Sequence, residues 1–356
     1  MRGCFGILFS VDLIEILWYN RENDFEEVAP MNKKRAMQIT VIGCGRWGSF
    51  LSWYLDRIGH DVTLYGRATS RNMQSFLNTR CNDLLTLPQS VRLSTELSAA
   101  RDADTIVISV DSQGLRSLLG ELSALDLKEK RIVLCMKGIE ISTGKRLSEV
   151  ACECLDPSCR VAVWLGPGHV QEFYAGVPNC MVIDSADAVT KTDLVDAFSS
   201  DLIRLYYGED LVGNEIGAAA KNVIGIAAGM LDGYDLSSLK GALMARGARE
   251  AARLIRAMDG NELSAYGLCH LGDYEATVFS RFSHNRRFGE AFVRGESFDA
   301  LAEGYYTVRA LMKLEEAYGV ELPICRAVYR VLYDGEQPRD ALNDLFGRQL
   351  KNEFYI

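Results

Sequence analysis

The segment that decides the fold spans residues 37–67 and reads MQITVIGCGRWGSFLSWYLDRIGHDVTLYGR. It opens with an apolar run over Gln38–Ile42, which predicts a buried parallel strand. Apolar residues at helical spacing predict a helix over residues 49–58, and residues 62–65 predict a second strand. A strand, a helix and a second strand in this order are typical of an α/β unit that binds a nucleotide.

The turn between the predicted strand and helix carries glycine in the pattern G-x-G-x-x-G. Gly43 permits the tight turn, Gly45 lets the backbone approach a pyrophosphate, and Gly48 allows the helix to pack closely on the strand. The free N–H groups and the positive dipole end of the helix then face the phosphates. In this context the pattern predicts a dinucleotide site, the alternative being a purely structural glycine-rich turn.

The end of the second predicted strand indicates which dinucleotide is preferred. A unit that binds NAD usually carries Asp or Glu there, about 20 residues past the glycines. Here the strand is followed by Gly66 and Arg67, whereas Asp61 stands at its other end. An arginine suits a 2′-phosphate, so we expect NADP(H) to be favoured and NAD(H) to be possible. The alternative is that Arg67 is a solvated surface residue.

Further predicted strands alternate with helical patterns as far as Tyr207. They cover residues 105–110, 131–136, 160–165, 179–184 and 204–207. This alternation predicts a doubly wound sheet, and ligands bind at the carboxyl ends of such strands. After Tyr207 the pattern is helical only. We therefore predict an N-terminal Rossmann-type domain over residues 37–210 and an all-α C-terminal domain over residues 211–356.

Composition limits the possible partners. The chain has 356 residues and a net charge of -9, which argues against a broad basic surface for nucleic acid. Its ten cysteines form no C-x-x-C pair and have no histidine partner at a metal-binding spacing, so no metal site is expected. Reduced thiols in a cytoplasmic protein are the expected state.

Residues 1–36 are interpreted as an extension outside the fold. The stretch MRGCFGILFSVDLIEILWYN is apolar, but Asp12 and Glu15 interrupt it and no small-residue cleavage site follows. This argues against a signal peptide. Met31 or Met37 is a candidate for the start of the biological chain.

The stretch IGAAAKNVIGIAAGMLDG, residues 216–233, raises a question of its own. Its only charge before Asp232 is Lys221, and the run is too short and polar for a membrane span, which needs about 20 apolar residues. The lysine could extend from a core helix to the surface. Alternatively it is buried and functional, because a desolvated lysine shifts its pKa and becomes an acid or base.

Together these motifs resemble the NAD(P)-dependent glycerol-3-phosphate dehydrogenases of the bacterial type. The matching motifs are VIGCGRWG, MKGIE at 136–140, GPGHVQE at 166–172, GAAAKNVIGIAAGMLDG at 217–233, LGD at 271–273, HNRRFG at 284–289 and AEGY at 302–305. The resemblance implies that the protein interconverts dihydroxyacetone phosphate and sn-glycerol 3-phosphate, supplying glycerol phosphate for phospholipid synthesis. It also implies a phosphorylated small-molecule substrate and a homodimer.

The resemblance also implies roles for individual residues. Lys221 matches the proton donor and acceptor, Lys137 matches the lysine that binds substrate beside the nicotinamide, and Asp273 completes the polar site. Asn222 and Thr277 are its neighbours. Substrate contacts are implied for Lys137, Lys221, Asp273, Gly166, Gly168, Ser283, His284 and Asn285. Cofactor contacts are implied for Gly43, Gly45, Gly48, Arg46, Trp47, Arg67, Lys137, Val170, His284, Leu301 and Glu303.

Three positions depart from the family pattern. Gly168 stands where Thr is usual, His284 where Arg is usual, and Asp111 where Pro is common. A histidine beside a phosphate loses its charge between roughly pH 6 and 8, so KM for the substrate should rise over that range. Alternatively Arg286 or Arg287 binds the phosphate. A different anionic ketone as substrate, or a silent NADP(H)-binding sensor, are the competing functions.

Overall fold

The structure is a computed structural model that describes residues 36–350 and 352–353. The predicted extension over residues 1–36 therefore lies, apart from Ala36, outside the described residues. In the described chain no helix is both long and apolar enough to cross a membrane.

An eight-stranded sheet occupies the first half of the described chain. Its strands are β1 Gln38–Ile42, β2 Asp61–Tyr65, β3 Arg92–Ser94, β4 Thr105–Ile108, β5 Arg131–Leu134, β6 Arg160–Leu165, β7 Asn179–Ser185 and β8 Ile203–Tyr207. The spatial order is β3-β2-β1-β4-β5-β6-β7-β8, and every neighbouring pair is parallel except β6 and β7. This confirms the predicted doubly wound α/β fold; β3 and the antiparallel direction of β7 were not predicted.

The order of the strands locates the ligand crevice. The chain proceeds outward from β1 to β2 and β3, then returns to place β4 on the other side of β1. Such a reversal opens a crevice between the carboxyl ends of the two central strands, where the connecting helices leave on opposite faces. The glycine turn after β1 and the segment after β4 both lie at this edge.

Six helices pack on the sheet: α1 Arg46–Arg57, α2 Arg71–Thr79, α3 Leu115–Ser123, α4 Leu147–Cys154, α5 Val170–Tyr174 and α6 Ala188–Phe198. The apolar face of α1 explains its position, because Phe50, Leu51, Tyr54 and Leu55 are all fully buried. Phe50 stacks on Phe173 of α5 with ring centroids 5.2 Å apart. This contact joins the glycine turn to the segment that follows β6.

The second half is helical, and no strand occurs among the described residues after Tyr207. Its helices are α7 Leu211–Gly233, α8 Lys240–Ala257, α9 His284–Arg294, α10 Glu303–Tyr318, α11 Pro323–Tyr333 and α12 Pro338–Phe346. Between α8 and α9 lie short helical turns, including Leu271–Asp273 and the π-helical turn Glu275–Phe279.

Helix α7 is the centre of this half and contacts α8, α9, α10 and α11. Its small residues allow close backbone approach. A Cβ atom on Gly229 would lie 1.8 Å from the carbonyl oxygen of Arg286, and one on Gly289 would lie 2.1 Å from that of Ile226. Most residues of this 23-residue helix are small or apolar, which suits a helix covered by its neighbours. Lys221 lies near its middle and is only 5% exposed, so it does not extend to the surface.

Candidate active site

Three charged side chains from three separate segments meet at the carboxyl edge of the sheet. Lys137 follows β5, Lys221 lies in α7, and Asp273 ends the turn Leu271–Asp273. Asp273 Oδ2 accepts hydrogen bonds from both ammonium groups, at 2.7 Å from Lys137 Nζ and 3.0 Å from Lys221 Nζ. Lys137 also donates to the carbonyl oxygen of Gly166 at 2.6 Å, and Lys221 to Thr277 Oγ1 at 2.6 Å.

Burial divides the roles of this group. Lys221 and Asp273 are 5% and 1% exposed, whereas the Lys137 side chain keeps 24% of its surface. Burial lowers the pKa of Lys221 to about 8, with a further lowering by the charge of Lys137 and a partial restoration by Asp273. Lys221 is therefore an ammonium group that gives up its proton readily. The cluster holds one net positive charge, which suits a developing oxyanion.

A chain of amide hydrogen bonds holds this cluster in place. Asn222 Nδ2 donates to the carbonyl oxygen of Lys137 at 2.9 Å, and Asn285 Nδ2 donates to Asn222 Oδ1 at 3.1 Å. The amide of Gly304 then donates to Asn285 Oδ1 at 2.9 Å. The structure thus places Asn222 and Asn285 as bridges between the β5 loop, α7, α9 and α10. The family resemblance implied a substrate contact for Asn285 and did not predict this bridge.

The loop after β6 requires two of its glycines. Gly166 and Gly168 have φ values of +133° and +138°, a region that L side chains rarely adopt. A Cβ atom on Gly168 would also lie 2.1 Å from Cε2 of Phe173. This explains why Thr does not occupy position 168 in this chain. Gly168 can offer only its backbone to a ligand.

His169, in the same loop and within the motif GPGHVQE, lies near the lysine cluster, and the sequence predicted no role for it. Its Nε2 is buried and has no hydrogen-bond partner, and its ring lies edge-on to Phe282 with centroids 5.5 Å apart. Burial lowers the pKa of His169 to about 4, and the charges of Lys221 and Lys137 act in the same direction, so the ring is neutral. The signal in the sequence was the position of this histidine just past a strand end.

The turn after β1 has the shape that a dinucleotide needs. Gly43 has a φ of +111°, and a Cβ atom there would lie 2.1 Å from the carbonyl oxygen of Ser109. A Cβ atom on Gly48 would lie 1.9 Å from the carbonyl oxygen of Gly43, whereas one on Gly45 would meet nothing within 4 Å. Gly43 and Gly48 are therefore required by packing, and Gly45 faces open space beside the N-terminus of α1. The residues present fit a pyrophosphate.

The side chain of His284 is held between two partners. Its Nδ1 lies 3.1 Å from the carbonyl oxygen of Leu301, and its Nε2 is in hydrogen-bond contact with the guanidinium of Arg46. A carbonyl only accepts and a guanidinium only donates, so Nδ1 carries the proton and Nε2 accepts. Burial lowers the pKa of His284, and the charges of Arg46 and Arg287 lower it further. The lowered pKa moves the expected loss of charge to lower pH.

Arg286 and Arg287 of α9 differ in whether they are available to bind a phosphate. Arg286 donates to Asp232 Oδ2 at 2.6 Å and to Glu290 Oε2 at 3.1 Å, so its charge is balanced within the fold. Arg287 is exposed and lies over the ring of Phe298 at 5.7 Å. The structure thus argues against Arg286 as the phosphate ligand. Ser283 caps α9 by accepting from the amide of Arg286 at 3.3 Å.

The remaining predicted cofactor contacts differ in exposure. Val170 is 4% exposed and belongs to the core, whereas Trp47 is half-buried and packs against that core through Phe50 and Phe173. Arg67 and Leu301 are exposed, at 48% for the latter. Glu303 accepts from the amide of Ser112 at 3.2 Å and from its hydroxyl at 2.6 Å, across the crevice from the end of β4.

Comparison with known proteins identifies the family. A family model described as the N-terminus of NAD-dependent glycerol-3-phosphate dehydrogenase matches residues 38–191, and the model of its C-terminus matches residues 210–343. The chain belongs to this family. Membership confirms the resemblance seen in the motifs, and with it a site for NAD or NADP.

Relatives match over nearly their whole length. A protein of Pelodictyon phaeoclathratiforme named glycerol-3-phosphate dehydrogenase [NAD(P)+] is 37% identical over 332 residues, which is 89% of this chain and 99% of the relative. One of Thermotoga with the same name is 35% identical over 329 residues, or 90% and 99% of the two chains. The crystal structure of glycerol-3-phosphate dehydrogenase from Coxiella burnetii superposes with a TM-score of 0.82 at 27% identity, covering 88% of this chain and 99% of that one.

Among the described residues, no group of His, Cys, Asp and Glu side chains is arranged to hold a metal ion. The cations at the crevice are instead the two lysines, Arg46 and the exposed Arg67 and Arg287. They provide the local positive charge that an anionic ligand needs on a chain of net charge -9.

The two glycines of the turn allow a matched test. Gly45→Ala should weaken NADPH binding about tenfold or more, or roughly 1.4 kcal/mol, without changing the thermal unfolding midpoint, because its methyl group points only into the ligand space. Gly48→Ala should weaken binding and also lower the unfolding free energy by about 1–3 kcal/mol, because it collides with backbone. Fluorescence titration and thermal unfolding measure both. An unchanged NADPH affinity in Gly45→Ala would show that this turn does not bind the cofactor.

The neutral state of His284 predicts the pH response of substrate binding. Because burial and Arg46 lower the pKa of this imidazole, and its Nε2 accepts from a guanidinium, we expect its charge to add no pH dependence above pH 7. The ratio of KM at pH 8 to KM at pH 7 should therefore be the same in the wild type and in His284→Gln. A ratio that is clearly larger in the wild type than in His284→Gln would contradict this assignment.

Proposed function

We propose that this protein interconverts dihydroxyacetone phosphate and sn-glycerol 3-phosphate with NAD(P)H, and so supplies glycerol phosphate for phospholipid synthesis. The observation that carries the proposal is the cluster of Lys137, Lys221 and Asp273 at the crevice of a nucleotide-binding sheet. Family membership and the names of the relatives support the choice of substrate.

Lys221 is the proposed proton donor for ketone reduction. A bound nicotinamide supplies the hydride, and negative charge then develops on the carbonyl oxygen of the substrate. The ammonium groups of Lys221 and Lys137 stabilise that charge, and Lys221 transfers its proton to the oxygen. In the reverse direction the neutral amine of Lys221 accepts the hydroxyl proton. A pKa of about 8 allows both directions near neutral pH.

Lys137 and Asp273 adjust Lys221 in opposite senses. The charge of Lys137 favours the neutral amine, whereas the carboxylate of Asp273 favours the ammonium. The hydroxyl of Thr277 accepts a further hydrogen bond from Lys221 and thus orients its nitrogen. Lys137, the most exposed of the three charged groups, is the one we place against the substrate.

For the phosphate of the substrate we propose the N-terminal end of α9, with Arg287 as the cation that binds it. Arg287 is exposed, whereas Arg286 is already paired with Asp232 and Glu290. The neutral ring of His284 keeps the guanidinium of Arg46 directed toward the same end of the helix. Backbone N–H groups of the first turn add hydrogen-bond donors for an anion.

We further propose a homodimer that works in the cytoplasm. Nine described cysteines are free, which fits a reducing compartment. Static light scattering of the purified protein would decide the oligomeric state, and a monomer mass at working concentrations would refute the dimer.

The activity is tested by NADPH oxidation with a panel of ketones. Dihydroxyacetone phosphate should give the highest kcat/KM, and unphosphorylated dihydroxyacetone a value lower by several orders of magnitude, since it lacks the anchoring anion. Faster turnover of another anionic ketone would refute the substrate. Tight NADPH binding without turnover of any ketone would indicate a silent sensor.

Loss of Lys221 should abolish the chemistry but not cofactor binding. Lys221→Met should lower kcat by at least about 10²–10³ and leave NADPH affinity unchanged, because the glycine turn lies in the sheet half. In the wild type, ketone reduction should slow as pH rises through about 8, where the ammonium loses its proton, and alcohol oxidation should accelerate. Stopped-flow rates from pH 6 to 10 would test this. More than a tenth of wild-type activity in Lys221→Met would refute the assignment.

For the cofactor we propose a preference for NADPH. Arg67 is exposed just past β2, and Asp61 at the opposite end of that strand pairs with Arg92 at 2.6 Å. Arg67→Asp should reverse the ratio of kcat/KM for NADPH and NADH, because a carboxylate repels a 2′-phosphate and bonds a free 2′-hydroxyl. The matched control is Arg101→Asp, an equal charge change on an exposed turn at the amino edge of the sheet. An unchanged ratio in Arg67→Asp would show that Arg67 does not read the ribose.

A further inference from the structure

A buried histidine, His270, connects the two segments that carry Asp273 and Lys221, although it lies outside the lysine cluster. We propose that His270 is a positioning residue that sets the separation of Asp273 and Lys221 during the reaction. The inference rests on the proposed function for its kinetic readout, but not for its structural content.

The ring of His270 has a fixed hydrogen-bond arrangement. It is fully buried, with Nδ1 2.7 Å from the carbonyl oxygen of Gly217 and Nε2 2.7 Å from the hydroxyl of Tyr274. A carbonyl oxygen only accepts, so Nδ1 carries the proton and donates to Gly217. Nε2 then accepts from Tyr274, which is also fully buried. Burial lowers the pKa of His270 to about 4, so this neutral tautomer persists at working pH.

These contacts place His270 one hydrogen bond from Asp273 and, through the shared carbonyl of Gly217, two hydrogen bonds from Lys221. Gly217 stands four residues before Lys221 within α7, so its carbonyl also accepts the amide of Lys221. On the other side, the amide of Asp273 donates to the carbonyl oxygen of His270 at 3.0 Å. The segment that carries Asp273 is therefore attached through His270 to the turn of α7 that carries Lys221.

The packing allows little else at this position. A Cβ atom on Gly217 would lie 3.0 Å from Cβ of His270, so α7 and the loop are in direct contact here. The rings of His270 and Tyr274 lie 4.9 Å apart, and the neighbouring Cys269 is fully buried in the core. An apolar side chain in place of His270 would leave the Tyr274 hydroxyl without its partner in a dry environment.

The consequence for Lys221 follows from the charges that face it. Asp273 favours the ammonium and Lys137 opposes it, while the half-buried His169 and the fully buried His270 and Cys269 are uncharged at working pH. If the link through His270 is lost, Asp273 moves relative to Lys221 and its stabilising effect weakens. The pKa of Lys221 then falls below about 8. The fall in the rate of ketone reduction at high pH, called the alkaline limb below, then begins at lower pH.

The substitutions His270→Asn and His270→Gln distinguish a positioning role of His270 from a role in the stability of the fold. In His270→Asn the amide nitrogen takes the place of Nδ1 and can still donate to Gly217, whereas in His270→Gln it takes the place of Nε2 and cannot. We expect His270→Gln to lower kcat on the order of 10–100-fold with little change in KM, and to shift the alkaline limb to lower pH. His270→Asn should retain the wild-type limb and most of kcat.

Tyr274→Phe provides a second variant should His270→Gln fail to fold. Without the hydroxyl, Nε2 loses its donor and the ring is held only by its bond to Gly217, so a smaller shift in the same direction is expected. If His270 only supports the fold, the variants should unfold at lower temperature, and the alkaline limb of ketone reduction should stay at its wild-type pH. A wild-type limb in both His270→Gln and Tyr274→Phe, or an equal effect of Gln and Asn, would overturn the proposal.

The pKa of Lys221 can also be followed without turnover. NMR titration of ¹³C-labelled lysine side chains should show it lower in His270→Gln than in the wild type and unchanged in His270→Asn. If the wild type does not reduce dihydroxyacetone phosphate, the proposed function fails and this titration still tests the positioning role. Equal Lys221 pKa values in all three proteins would refute it.

Discussion

The structure depends on one carboxylate that is shared by two lysines. Asp273 Oδ2 lies 3.0 Å from Lys221 Nζ and 2.7 Å from Lys137 Nζ, and without it the buried ammonium of Lys221 would face a second cation with no counter-charge. The three residues come from the loop after β5, the middle of α7 and a turn before α9. The sheet and the helices must therefore be assembled before the cluster exists. Its remaining positive charge is what makes the site suited to a developing oxyanion.

Helix α7 makes this burial possible. Its glycine and alanine residues let neighbouring helices approach at backbone distance, as at Gly229, where a Cβ atom would lie 1.8 Å from a carbonyl oxygen of α9. A helix enclosed in this way excludes water from Lys221, and exclusion of water is the largest cause of its lowered pKa. The same enclosure requires every polar group beside the helix to have a hydrogen-bond partner. Asn222 donates to the carbonyl of Lys137, Thr277 accepts from Lys221, and His270 donates to the carbonyl of Gly217.

The fold was largely predictable because its signals are local. The glycines at 43, 45 and 48 act through their own backbone, and apolar runs such as Gln38–Ile42 identify strands by composition alone. The strand β3, Arg92–Ser94, was missed because three residues with one exposed and two half-buried side chains carry no pattern. The direction of β7 was missed because the sequence of a buried strand does not reveal which way its neighbour runs.

By itself the sequence determined the nucleotide-binding unit, the helical second half and, through its motifs, the residues Lys137, Lys221 and Asp273. Only the tertiary structure decided how charges are paired. It placed His284 against Arg46 and Arg286 against Asp232, and it buried Lys221. The physical reason is that a pKa and a hydrogen bond depend on solvent exclusion and on partners far away in the chain, such as the pair at positions 46 and 284, and no local pattern encodes them.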